Sequence, residues 1–179
     1  MSRYYKLAQR EHTAGAQIAA TLAAGVIFVI LLPIVIARVG PALDQLLGLP
    51  QVYFGAVNWM LGGIMVVVGL TFGAWVGYLQ LAHGRGTPLP LLPTQELLTQ
   101  GPFRYCRNPM TFGTILFYLG VGVIVGTIAG IALVLCFALA LVFYLKHFEE
   151  RELAERFGEA YLQYKRDVPF IIPGFPKGQ

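Results

Sequence analysis

Met110 to Leu145 is a run of 36 residues without a single charged side chain. As one α-helix it would measure about 54 Å at about 1.5 Å per residue, against a bilayer hydrocarbon core of about 30 Å. The run must therefore fold back on itself. Gly126-Thr127 and Ala129-Gly130 mark the turn, which leaves two short spans of about 16 to 18 residues each. The chain then returns to the side it left, so whatever precedes Met110 meets whatever follows Leu145.

The rest of the chain agrees with a membrane reading. Hydrophobic residues make up 56% and charged residues 12%, where soluble domains carry about 25% charge. The net charge of +4 is spread over separate stretches, with no basic run of the kind that binds nucleic acid. The N-terminus is basic and aromatic (Arg3, Tyr4, Tyr5, Lys6, Arg10), and Ala14 to Ala37 is apolar enough to span. That stretch exceeds the ~7–15 residue core of a cleavable signal and reads as a signal anchor, with a kink expected at Pro33. Val39 to Phe54 reads as a loop, in which Leu43, Leu46 and Leu47 suit a short surface helix without chemistry of its own.

A second span covers Val57 to Ala82, with Trp59 near one end and Trp75 and Tyr78 near the other as interface belts. Gly69, Gly73 and Gly77 share one helix face and permit close backbone approach, either within the chain or in a homodimer. Gly84 to Gln100 is a loop broken by Pro88, Pro90 and Pro93; Thr94 is placed to cap a helical turn through Leu98, with Glu96 near its positive end. The expected fold is all-α and integral to the membrane, with about four transmembrane helices including the tight C-terminal hairpin. Residues 1–83 form the first two spans, and residues 84–179 form the core that carries chemistry. Arginine bias puts both termini and the 83–109 loop in the cytoplasm. After Lys146 an amphipathic helix is expected, with Leu153, Phe157, Ala160, Tyr161 and Tyr164 as its apolar stripe.

The hairpin brings two polar clusters to one membrane face. One is Gly101-Pro-Phe-Arg-Tyr-Cys-Arg-Asn-Pro-Met-Thr, ending at Thr111; the other is His147-Phe148-Glu149-Glu150. Both glutamates lean toward the apolar stripe, and an inward carboxylate needs a partner. An Arg107–Glu149 clamp that merely closes the hairpin is one reading. The other is a pocket for a zwitterionic ligand, in which an arginine grips a carboxylate and Phe103, Tyr105, Tyr161 and Tyr164 offer aromatic faces to a cation. A metal centre built on His83, His147, Glu149 and Glu150 is the rival, but no HExxH and no zinc-spaced cysteine pair occurs. Cys106 and Cys136 are expected as free thiols, since half a bilayer core separates them.

In their order and spacing, the Gly101–Met110 motif, the apolar hairpin, Glu149-Glu150-x-x-Leu153, Phe157-Gly-Glu-Ala-Tyr-Leu-Gln-Tyr164 and Val168-Pro169 resemble the isoprenylcysteine carboxyl methyltransferase and phospholipid methyltransferase superfamily. The likeness covers roughly residues 84–173. It implies S-adenosylmethionine as methyl donor, in a pocket closed by the C-terminal helix. It also implies cofactor positions at Gln95, Glu96, Leu97, Leu98, Phe103, Arg107, Asn108, Pro109, Met110, Thr111 and Glu149. Arg107 and Glu150 are the candidates for catalysis, with His147 as an alternative proton acceptor for an amine or hydroxyl substrate. Two departures stand out: many members of the superfamily have tyrosine where Thr111 stands, and isoprenylcysteine enzymes place a substrate-binding arginine where this chain has Leu145. The implied acceptor is lipophilic and reaches the site from the bilayer. A nicotinamide-dependent reductase similar to sterol reductases and a non-enzymatic scaffold are the alternatives.

Overall fold

The computed structural model describes Gly15, Leu22, Ala23, residues 25–82 and residues 96–174. Every regular element among them is helical. We number the helices α1 (Val26–Leu47), α2 (Ala56–Ala82), α3 (Pro109–Val125), α4 (Ile128–Tyr144), α5 (Glu150–Phe157) and α6 (Glu159–Asp167). A five-residue π-helical turn, Leu145–Glu149, joins α4 to α5 without a break. Among the described residues three stretches are long and apolar enough to cross a membrane: Val26–Leu47, Ala56–Ala82 and Ile128–Phe157, with Pro109–Val125 as a shorter apolar helix.

The hairpin forms where length arithmetic requires it. α3 and α4 are each 17 residues long. Gly126 turns the chain at φ 74°, a left-handed conformation that glycine adopts without strain. Thr127 then caps α4 by accepting a hydrogen bond from the Gly130 N–H at 3.0 Å.

α3 is the central helix. Its most extensive interface is with α2, and α1 packs against both α3 and α4. The α2–α3 contact is a glycine seam: a Cβ on Gly62 would lie 2.6 Å from the Gly120 carbonyl oxygen, and one on Gly69 would lie 2.5 Å from that of Gly113. Of the expected Gly69, Gly73, Gly77 face, Gly69 packs within the chain, and the Gly73 backbone nitrogen lies 3.3 Å from where a Cβ on Gly113 would stand. Gly69 belongs to a seam with Gly62 inside the chain, while a Cβ on Gly73 or Gly77 meets nothing within 4 Å.

α1 also differs from expectation. The helix continues through the segment read as a loop, to Leu47, and Asp44, far from being idle, is buried and caps α4 by accepting a hydrogen bond from the Ala129 N–H at 2.7 Å. Asn58 ties the same end together, donating to the Val52 and Val123 carbonyls. At Pro33 the helix widens into a π-helical turn over Val26–Leu31. The Leu32 N–H there donates to the Ile27 carbonyl, and Pro33 has no N–H to give. The Phe28 carbonyl loses its usual helical donors and instead accepts from the Tyr118 hydroxyl of α3 at 2.9 Å.

The amphipathic C-terminal helix is two helices. Gly158, at φ 56° and ψ −134°, breaks it between α5 and α6. Leu153, Phe157, Tyr161 and Tyr164 still form one apolar cluster, but the break rotates Ala160 out to solvent.

Candidate functional site

The site lies where the start of α3 meets the end of α4. Gly101, at φ 60°, brings the preceding loop against Leu79 of α2 and opens a short 3₁₀ turn, Gly101–Arg104. That turn replaces the helical turn expected through Leu98: residues 97–99 have no regular structure, and Thr94 lies outside the described residues. Pro109 sits at the first position of α3, where a missing N–H costs nothing. Asn108 precedes it, but its side chain makes no cap. Its Nδ2 donates instead to the Phe170 carbonyl at 2.9 Å.

The chain beyond α6 is tied to this loop. The Arg107 N–H donates to the Pro169 carbonyl at 2.8 Å, and the Gly174 N–H donates to the Tyr105 carbonyl at 3.0 Å. The Tyr164 hydroxyl donates to the Phe103 carbonyl at 2.6 Å. Burial holds the Tyr161 and Tyr164 phenols well above the ordinary tyrosine range, so both stay neutral hydrogen-bond donors.

A three-member ionic cluster sits at the centre. Arg107 Nη2 is 2.6 Å from Glu150 Oε1, and Lys165 Nζ is 2.7 Å from Glu150 Oε2. Arg107 also donates to the backbone carbonyl of Lys165, and its guanidinium and the Lys146 ammonium both lie over the Phe170 ring. The partner of Arg107 is therefore Glu150, not the Glu149 of the expected clamp. The π-helical turn accounts for the exchange, because one extra residue per turn rotates everything after Leu145 relative to a regular helix.

A cleft opens beside this cluster. It is lined by Glu96, Leu97 and Leu98 from the loop, Phe103, Arg107 and Asn108 from the motif, and Glu149 and Glu150 from the end of the hairpin. These expected positions come together from three separate stretches of sequence. Pro109, Met110 and Thr111 occupy the first turn of α3 and do not line the cleft, and Gln95 lies outside the described residues. His147 is exposed, bonded to the Phe143 carbonyl and stacked on the Phe143 ring, away from the cleft. Cys106 is fully buried, and burial pushes its thiol up to about 11; it stays a neutral thiol, and both cysteines are free.

Sequence reasoning missed Gln80, Leu145 and Lys165 as site residues. Gln80 reaches the cleft from α2, and an amide near the end of a mostly apolar span was its available signal. Leu145 lines the cleft where isoprenylcysteine enzymes carry an arginine, so that corner is apolar. Lys165 had no signal beyond its charge. Three buried polar atoms of cleft residues have no hydrogen-bond partner among the described residues: Gln80 Oε1, Arg107 Nε and Glu150 Oε1, the last of which is held in the ion pair with Arg107.

Comparison with known families bears directly on this arrangement. The sequence profile of the family described as phospholipid methyltransferase matches residues 57–160, more than half the chain. The chain belongs to the phospholipid methyltransferase family. The match takes in α2 as well as the hairpin and α5, so it extends further toward the N-terminus than the motif resemblance alone. No curated protein and no solved structure matches the chain. Family membership and the apolar helices together make this a membrane methyltransferase. Lys165 and the segment tied to the motif loop, residues 168–174, lie beyond the family match.

Proposed function

We propose that this phospholipid methyltransferase family member uses S-adenosylmethionine to methylate a lipid or another small membrane-embedded acceptor on oxygen, nitrogen or sulfur. The observation that carries the reading is that Arg107 Nε and Gln80 Oε1, buried atoms of cleft residues, have no hydrogen-bond partner among the described residues. A buried donor and a buried acceptor left unpaired are costly, and an amino-acid-like ligand offers a carboxylate to the first and an ammonium to the second. The surroundings fit the rest of the molecule. Phe157, Tyr161 and Tyr164 supply aromatic faces, and Leu145, Leu153 and Leu98 supply apolar walls.

When bound, S-adenosylmethionine supplies a methyl group on a positively charged sulfur. Transfer is a direct displacement, so what the protein contributes is positioning and exclusion of water. Arg107 holds the ligand carboxylate, and Glu149, a cleft carboxylate beside Glu150, receives the ammonium or sugar hydroxyls. The aromatic rings favour a cation near their faces. Both oxygens of Glu150 are engaged by cations; its part is to orient Arg107, and proton removal from an amine or hydroxyl acceptor falls to Glu149 or to solvent. The cleft faces the cytoplasm in this reading, as the arginine distribution supports. Residues 84–179 form the catalytic core, with Gln80 contributed by the preceding part. Incubation of the purified protein with methyl-labelled donor and total membrane lipid tests the proposal. A labelled lipid product is expected; no labelled product, with protection by NADPH instead, would sink it.

A further inference from the structure

We infer that Lys165 is a positioning residue that gives the Arg107–Glu150 cluster at the cleft a spare positive charge, the charge that recognises the carboxylate of the donor. The inference rests on the methyltransferase reading and adds a residue that neither the motif nor the family match contains.

Arg107 and Glu150 alone are a neutral pair. Their side chains are 9% and 8% exposed, and at 2.6 Å the carboxylate absorbs most of the attraction that the guanidinium offers another anion. An arginine in that state is a poor receptor for a ligand carboxylate. Lys165 changes the balance. Its ammonium takes the second oxygen of Glu150 at 2.7 Å, so the cluster of three carries one net positive charge. Its backbone carbonyl accepts a hydrogen bond from Arg107 Nη1, which fixes the plane of the guanidinium. Nη1 and Nη2 are thus both occupied while Nε is buried and unpartnered. One residue supplies the charge through its side chain and the orientation through its main chain.

The main-chain contact survives substitution and the side-chain contact does not, so the two can be separated. Lys165 is about two-fifths exposed, and Lys165→Met keeps the helix and the carbonyl while removing the charge. Two probes that share the nucleoside then read the site by calorimetry: S-adenosylhomocysteine, which has the amino-acid carboxylate, and 5′-methylthioadenosine, which lacks it. Lys165→Met is expected to weaken S-adenosylhomocysteine by about tenfold, the worth of one charge-assisted contact, with 5′-methylthioadenosine unchanged. Lys165→Arg restores S-adenosylhomocysteine binding to within about threefold, since it keeps the charge. Equal losses for both probes, or no loss for either, overturn the inference. Wild-type protein that binds neither probe overturns the methyltransferase reading on which it rests.

Discussion

Glu149 and Glu150 are neighbours in sequence with different circumstances. Glu150 is locked between Arg107 and Lys165, while Glu149 lines the cleft at partial exposure. Removing one partner of a buried ion pair leaves the other charge uncompensated and costs about 3 kcal/mol or more. Glu150→Ala should therefore lower stability by that order, read as thermal unfolding in detergent. Glu149→Gln should leave the unfolding temperature close to wild type and weaken donor binding, read by calorimetry on the same sample. The opposite pattern would return Glu149 to the role of a structural clamp. Cys106 gives a separate check at this scale. With its pKa raised from 9.0 to about 11, the group is a neutral thiol throughout the neutral pH range and a weak nucleophile. Cys106→Ala should retain methyl transfer, and Cys106 should resist maleimide at pH 7.5 until the protein unfolds.

At the level of elements, what the sequence made legible was whatever depends on local pattern or on length. The hairpin, its turn at Gly126 and the meeting of Arg107 with the end of α4 all follow from a run too long for one crossing. The identity of the arginine's partner was not legible, because a π-helical turn over Leu145–Glu149 changes the register by a residue and leaves no mark in hydrophobic periodicity. The same holds for Gly158, whose break sends Ala160 outward, and for the α2 seam. Glycines at spacing four suggested one face, but the contact follows Gly62 and Gly69 because those two meet Gly120 and Gly113. Gln80 and Lys165 enter the site only through tertiary packing. The seam is testable by unfolding temperature: Gly69→Ala places a Cβ about 2.5 Å from a backbone oxygen and should destabilise by about 1–3 kcal/mol as overpacking does. Gly73→Ala, where nothing lies within 4 Å, should be neutral or slightly stabilising. Tyr118→Phe leaves the Phe28 carbonyl without its hydroxyl donor and should cost about 1 kcal/mol.

Taken as a whole, the molecule is built with its two ends doing different work. At one end Asp44, Asn58 and Thr127 cap helix termini and close the bundle. At the other, polar groups face a cleft, where Arg107 Nε and Gln80 Oε1 have no hydrogen-bond partner among the described residues. α3 joins the ends, packed on α2 along glycines and on α1 through Tyr118, so the cleft is held by a rigid centre while its cover comes from the C-terminal segment. That division supports the proposed binding site, where backbone from the hairpin, the motif loop and α6 converge. The most direct test is calorimetric titration of the detergent-purified protein with S-adenosylmethionine, beside an Arg107→Ala variant. Saturable binding to the wild type, weakened in the variant, is the predicted result. No heat and no thermal shift with the wild type at millimolar ligand would contradict it.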